Sequence, residues 1–241
     1  MIVILSAMPE ELEAIVKSLN QPRPRVSAGR EVIEGHIHGQ TVAVAFSRWG
    51  KVAAASTAAH LLTALDPACV VFTGIAGALR SDLAVGDFVV AKALYQHDLD
   101  ASPFFPRTHV PLLNTAALPT DAALSAQLHA ALDDTLGSHI GPGAASHARV
   151  WVGDIATGDQ VIGSAPARKR VLEAVPEALC VEMEGAAVAQ VCHEFGVPFA
   201  CVRMISDQAD ETLNADEVFK LARRSGEHAA LMLHRWLAGA G

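Results

Sequence analysis

The sequence is poor in aromatic and charged residues. Only 5% of its 241 residues are Phe, Trp or Tyr and 18% are charged, whereas 51% are hydrophobic. Because so much apolar material can bury a large core, intrinsic disorder is excluded. Basic residues are outnumbered, with 18 Lys and Arg against 26 Asp and Glu and a formal net charge of −8. We therefore expect neither a nucleic acid nor a membrane surface as a partner.

Long apolar runs and paired cysteines are also missing. The charge-free stretches 52–65 and 69–79 are shorter than the ~20 residues that a membrane-spanning helix needs. The opening residues MIVILSAM contain no basic group and predict a first strand rather than a signal peptide. No C-x-x-C pair occurs, so we expect reduced thiols in a cytoplasmic protein. The cysteines are Cys69, Cys180, Cys192 and Cys201.

Strand patterns alternate with helix patterns along the chain. Strands are predicted at residues 2–5, 32–38, 41–46, 69–73, 88–94, 148–152, 179–181 and 199–205. Helices are predicted at residues 9–19, 51–65, 122–136 and 214–237, with two shorter ones ending at 175 and following 181. Residues 98–119 are proline-rich and aperiodic, which predicts a long loop. This order predicts one α/β domain over residues 1–241, with a mixed sheet and helices on both faces.

Polar or glycine-rich segments follow four of the predicted strands, at residues 7–11, 73–77, 181–185 and 205–207. The glycines at 74 and 77 predict a turn after the strand. Ligands of open α/β sheets bind at the carboxyl ends of strands. Each acid in these segments is also an ordinary residue for a helix start. Together, Glu11, Glu184 and Asp207 are candidates for acid–base chemistry on a neutral, polyhydroxylated ligand.

Several other active-site patterns are not found. The sequence contains no Walker A motif, G-x-G-x-x-G or G-x-S-x-G, which argues against a dinucleotide enzyme and a serine hydrolase. His36 and His38 share one face of a predicted strand, but no carboxylate or cysteine cluster completes a metal site, so a solvated hairpin is favoured. His97 is assigned a structural role at the start of the long loop. We expect neither a metal nor a cofactor.

Seven segments, in order along nearly the whole chain, carry a family resemblance. They are AMPEE (7–11), GKVAA (50–54), TGIAG (73–77), VGD (85–87), GD (158–159), VEME (181–184) and RMISD (203–207). This set resembles the methylthioadenosine/S-adenosylhomocysteine nucleosidase family of the nucleoside phosphorylase/nucleosidase superfamily. The resemblance implies a three-layer α/β/α sandwich with a central mixed sheet, usually a homodimer. It also implies cleavage of the N-glycosidic bond of 5′-thio-substituted adenosines.

The resemblance also implies roles for single residues. Asp207 would be the general acid that protonates N7 of adenine, and Glu11 would activate the attacking water. Glu184 would accept hydrogen bonds from the ribose hydroxyls, with Met183 beside the sugar. Phe104, in the long loop, would reach the 5′-alkylthio group bound by a neighbouring subunit. The other expected substrate-binding residues are Met8, Gly77, Val161, Ile162 and Ser206.

The chain departs from the family pattern at three places. Ile75 replaces a small hydroxyl residue, Val161 replaces an aromatic ring that stacks on adenine, and Arg48-Trp49 replaces a small apolar pair. The preferred 5′-substituent therefore stays open. The alternatives are a phosphorylase of the same superfamily, a nucleosidase for futalosine-type nucleosides, and a nucleoside-binding protein without activity. Phe72 stands where such phosphorylases carry an arginine, which disfavours the first of these.

Overall fold

The computed structural model describes residues 1–138, 148–212 and 214–239. Its strands are β1 (Ile2–Ser6), β2 (Asn20–Ser27), β3 (Arg30–Ile37), β4 (Gln40–Phe46), β5 (Cys69–Ala78), β6 (Phe88–Gln96), β7 (Leu118–Pro119), β8 (Val150–Thr157), β9 (Ala178–Glu182) and β10 (Phe199–Asp207). Its helices are α1 (Pro9–Lys17), α2 (Lys51–Leu65), α3 (Ala122–Ser138), α4 (Ala165–Ala174), α5 (Gly185–Phe195) and α6 (Ala215–Ala238). Within the described ranges, no helix is long and apolar enough to cross a membrane.

All of these strands belong to one mixed sheet. Its order is β10-β6-β8-β9-β5-β1-β4-β3-β2, with the short β7 beside β6. Because β10 also pairs with β5, the strands β5, β9, β8, β6 and β10 close into a ring. The remaining strands extend from β5 through the parallel pairs β5–β1 and β1–β4. The predicted α/β sandwich with a mixed sheet is confirmed, and the ring is an addition that the sequence patterns did not indicate.

Alternate strand residues face two separate apolar layers, as the two-residue period of a strand requires. Ile4 and Val71 pack with residues of α1, α3 and α6 on one face of the sheet. Their neighbours Leu5 and Phe72 pack with residues of α2 and α5 on the other face. Both layers are fully removed from solvent at these positions. The four cysteines are free thiols, as predicted.

The predicted glycine turn at residues 73–77 is wrong. Strand β5 runs on through these residues to Ala78. Gly74 has a φ of +154°, and a Cβ there would collide with the Arg203 guanidinium and the Glu11 carboxylate. The glycine is thus required by the close approach of two buried side chains rather than by a change of chain direction.

One predicted strand has different bounds in the structure, and one strand was not predicted. The strand predicted at 148–152 continues to Thr157 as β8. Strand β2 was not predicted, because the prolines at 22 and 24 interrupt its pattern. Proline is tolerated in β2 because this strand lies at the edge of the sheet, where one row of N–H groups needs no partner.

Helix α6 packs closely against α1, which carries Glu11. A Cβ on Gly226 of α6 would overlap the backbone carbonyl of Glu11. The neighbouring Ser225 hydroxyl donates a hydrogen bond to the carbonyl of Gly74, at 3.2 Å. Gly226 therefore sets how near α6 can approach the start of α1.

We predict that Gly226→Ala destabilises the fold by about 1–3 kcal/mol, because backbone atoms have to move apart to admit the methyl group. Gly137→Ala is the matched control, since Gly137 is also helical and a Cβ added to it would meet nothing within 4 Å. That control gains about 0.5–1 kcal/mol from better helix propensity. Urea unfolding measures both changes, and equal midpoints for the two variants would contradict the tight contact.

Candidate active site

One cavity of about 260 Å³ lies where β1, β9 and β10 end and where β5 passes them. All the predicted site residues except Phe104 line it. They are Met8, Glu11, Gly77, Val161, Ile162, Met183, Glu184, Ser206 and Asp207. Phe104 is instead 86% exposed on the long loop and does not line the cavity of its own chain. Its role towards a neighbouring subunit stays a prediction.

Glu11 is held by the first turn of α1. Its Oε2 accepts hydrogen bonds from the N–H groups of Ala7 and Met8, both at 3.0 Å. Its Oε1 accepts the N–H of Ile75 at 3.0 Å. A glutamate three residues after the cap of a helix reaches back in this way, which explains its fixed orientation. Burial raises the pKa of Glu11 from 4.5 to about 7, against the opposing effects of the Arg203 charge and these N–H groups.

Arg203 is a site residue to which the sequence reasoning gave no role. It is 1% exposed within β10. Its Nη1 donates to the carbonyl of Thr73 at 2.9 Å, and its Nη2 donates to Glu182 Oε2. The guanidinium lies 4.2 Å from the centroid of the Phe72 ring. An arginine inside the apolar run FACVRMIS was the available signal, because a buried charge requires charged or hydrogen-bonding partners.

Glu182 and Glu184 differ in what they bind. Glu182 accepts hydrogen bonds from the N–H groups of Glu184 and Gly185, at 3.0 and 2.8 Å, and from the Thr157 hydroxyl. It therefore anchors the start of α5 to Arg203. Glu184 Oε1 accepts the N–H of Gly50 at 2.8 Å. Burial, followed by the charge of Glu182, raises the pKa of Glu184 to about 8.

Asp207 lies at the end of β10, beside Gly77 of β5. Its Oδ2 accepts the Ser206 hydroxyl at 2.7 Å, and its Oδ1 accepts the N–H of Ala209 at 2.8 Å. A Cβ on Gly77 would lie 2.8 Å from Asp207 Oδ1, so the glycine makes room for the carboxylate. Ser206 thus has the predicted position next to the proposed acid.

The residues that depart from the family pattern meet at the cavity wall. Trp49, Ile75 and Val161 all line it, so an aromatic ring is present although Val161 supplies none. The Arg48 side chain instead donates to the carbonyl of Gly29, at 2.9 Å, and does not line the cavity.

His97 is buried at the start of the loop, consistent with its structural assignment. Among the residues with described positions, no cluster of His, Cys, Asp or Glu is arranged to hold a metal ion.

The raised pKa values of Glu11 and Glu184 predict that the ligand-free protein loses stability as pH rises. The folded protein keeps protons, up to about pH 7 and 8, that the unfolded chain releases near pH 4.5. The contribution of these two protons to the free energy of unfolding is therefore complete below pH 4.5. It is lost as the pH rises from there through the folded-state pKa values of Glu11 and Glu184. Glu184→Gln should flatten the decline most clearly between about pH 7 and 8, above the folded-state pKa of Glu11 and below that of Glu184, as measured by urea unfolding. Glu227→Gln, on the exposed side of α6, is the control, and an equally steep decline in Glu184→Gln would contradict the assignment.

Comparisons with known proteins agree with this geometry. The sequence model of the Phosphorylase superfamily matches residues 1–238. The chain is 35% identical over 232 residues to the 5′-methylthioadenosine/S-adenosylhomocysteine nucleosidase of Shewanella halifaxensis, covering 95% of each chain.

Two solved structures extend the likeness to three dimensions. The nucleosidase of the same name from Neisseria meningitidis, in complex with methylthio-immucillin-A, has a TM-score of 0.87 and 28% identity, with 99% of this chain and 98% of that one covered. The futalosine hydrolase of Helicobacter pylori has a TM-score of 0.85 and 32% identity, with 99% and 97% covered. The chain therefore belongs to the phosphorylase superfamily and, within it, to the family of 5′-methylthioadenosine/S-adenosylhomocysteine nucleosidases.

Proposed function

We propose that the protein is a nucleosidase that hydrolyses the N-glycosidic bond of 5′-methylthioadenosine and S-adenosylhomocysteine, releasing adenine and the thioribose. The observation that carries this proposal is that Glu11 of α1, Glu184 at the start of α5 and Asp207 of β10 line one cavity. The relatives from Shewanella halifaxensis and Neisseria meningitidis bear the name of that activity. The four free thiols are consistent with a cytoplasmic location, which we also propose.

The three carboxyl groups suit the two ends of the bond that breaks. Adenine leaves readily once N7 is protonated, and the sugar then acquires positive, oxocarbenium-like charge. Asp207, fixed by Ser206 and the Ala209 N–H, is the proposed acid towards N7. Glu11 has a pKa of about 7, which suits a base that takes a proton from water near neutral pH. Glu184 is the proposed acceptor for the ribose hydroxyls.

Water rather than phosphate is the proposed attacking group. Arg203 is the one Lys, Arg or His among the described residues that line the cavity, and its guanidinium already binds Glu182. Phe72 stands at the position where a phosphorylase of this superfamily has an arginine. Its uncharged ring is fully buried against Arg203 and supplies no cation there. A dianionic phosphate would therefore find no free cation among these lining residues to balance its charge, and it would lie beside Glu11, which is partly ionised near neutral pH.

A futalosine-type nucleoside is the second candidate substrate. The likeness to the futalosine hydrolase of Helicobacter pylori supports it. Trp49, Ile75 and Val161 also give this cavity a wall that differs from the family pattern. Release of base from methylthioadenosine, adenosylhomocysteine, inosine and futalosine, measured side by side, decides between the substrates.

We predict that the purified protein releases adenine from methylthioadenosine, and that millimolar phosphate changes neither the rate nor the free-sugar product. Asp207→Asn and Glu11→Gln each lower kcat by at least ~10², because each removes a proton-transfer group. Asp133→Asn, on the exposed side of α3, is the control and keeps wild-type kcat. A ribose-1-phosphate product, or an Asp207→Asn variant with most of its activity, would contradict the mechanism.

We also propose a homodimer in which the long loop covers the partner's cavity. Phe104 and Leu112 of this loop are 86% and 90% exposed, and Val52 of α2 is 81% exposed. Large apolar side chains this exposed suit an interface between two copies of the chain better than contact with water.

For the dimer, we predict that light scattering gives twice the chain mass and that Phe104→Ala raises KM for methylthioadenosine several-fold while the dimer persists. The expected cause is the loss of apolar contact with the 5′-alkylthio group. Phe195→Ala serves as the control, because it removes a different ring, which is half-exposed on α5. A fully active monomer would disprove this arrangement.

A further inference from the structure

A second polar cluster lies beside the cavity without lining it. We call it the Lys51 cluster, and its members are Lys51, Gln96, Asp98 and Asp159. The Lys51 ammonium donates to Asp98 Oδ1 at 2.6 Å and to Gln96 Oε1 at 3.2 Å. The other Asp98 oxygen accepts the backbone N–H of Asp159 at 2.8 Å. The cluster thus joins the start of α2, the end of β6 and the segment that follows β8.

The Lys51 cluster is connected to Glu184 through two consecutive N–H groups at the start of α2. The N–H of Lys51 donates to Asp159 Oδ1, and the N–H of Gly50 donates to Glu184 Oε1, both at 2.8 Å. Gly50 has a φ of +88°, and a Cβ there would lie 3.1 Å from Asp159 Oδ1. The backbone that binds Glu184 is therefore shaped around the Asp159 carboxylate.

We propose that Asp159 is a positioning residue for Glu184, acting through the Lys51 and Gly50 backbone, and that Asp98 and Lys51 hold Asp159 in place. The effect of Asp159 on the reaction rate rests on the proposed function, whereas its effect on the position of Glu184 does not. Asp159 also directly precedes Gln160, Val161 and Ile162, which line the cavity. The same carboxylate therefore ties together the backbone that contacts Glu184 and the segment that forms another part of the wall.

The electrostatics of Glu184 make this coupling measurable. Burial and the charges of Glu182 from β9 and Glu11 from α1 raise the pKa of Glu184, while Arg203 from β10 and the Gly50 N–H lower it. If Asp159 no longer fixes the start of α2, the Gly50 N–H moves away from Glu184. The ionised form of Glu184 then loses a hydrogen-bond donor, and its pKa rises further.

The test is a carbon NMR titration of the Glu184 carboxyl in the ligand-free full chain, with Glu184→Gln used to assign the signal. Asp159→Ala should raise the pKa of Glu184 by about one unit, the effect expected for losing one hydrogen bond to a charged group. Asp159→Asn should stay near the wild-type value, because its amide oxygen still accepts the Lys51 N–H. Asp133→Ala, on α3, is the control and should change nothing. If Asp159→Ala folds poorly, Asp98→Ala releases the same segment and should shift the titration in the same direction.

Kinetics give a second, independent readout. Asp159→Ala should lower kcat/KM for methylthioadenosine about tenfold, and should add little to the loss already caused by Glu184→Gln, because the two residues act as one unit. Additive losses, an unchanged Glu184 titration in Asp159→Ala, or an equal shift in Asp159→Asn would overturn the proposal. An inactive wild-type protein would instead refute the proposed function and leave the titration result standing.

Discussion

The buried guanidinium of Arg203 is the interaction on which the rest of the site depends. It lies among three acids, Glu11, Glu182 and Glu184, of which Glu182 is its direct hydrogen-bond partner. A lone buried carboxylate would be strongly disfavoured, and several without a cation would not stay ionised near neutral pH. One positive charge cannot balance three negative charges. Burial is the main cause that raises the pKa of Glu11 to about 7 and that of Glu184 to about 8, and the charge of Glu182 adds to the rise at Glu184. The Glu11 value lies in the range in which proton transfer near neutral pH is most effective.

The backbone around this charge is built with glycines where side chains must come close. Gly74 admits both Arg203 and Glu11, Gly77 admits Asp207, and Gly226 lets α6 approach the carbonyl of Glu11. These positions lie on β5 and α6, far apart in sequence, yet each allows backbone to come close to Arg203, Glu11 or Asp207. Small residues at the site thus serve close packing of charged groups rather than flexibility.

Much of the fold and most of the residues that line the candidate site could be predicted from the sequence. Apolar periodicity indicated the principal strands and helices, and the acids after β1, β9 and β10 were found because functional groups gather where strands end. Gly74 was misinterpreted as part of a turn, because a glycine needed for close approach looks the same in sequence as a glycine needed for a bend. Strand β2 was missed because the prolines of an edge strand interrupt the pattern. The closing pair β5–β10 depends on long-range pairing, which local patterns do not encode.

Arg203 and the Lys51 cluster show why a role can escape a motif-based interpretation. Arg203 stands inside a recognised segment, but its hydrogen bonds to Glu182 and Thr73 form only because the folded sheet brings these residues to it. Asp98 and Asp159 are 61 residues apart and act through backbone N–H groups that no sequence motif represents. The acids proposed to touch the substrate can therefore be found from residue type and strand position. The groups that orient those acids can be recognised only from the backbone atoms that the folded chain brings to them. At the start of α2, the consecutive N–H groups of Gly50 and Lys51 bind Glu184 and Asp159, and this shared backbone links the two carboxylates.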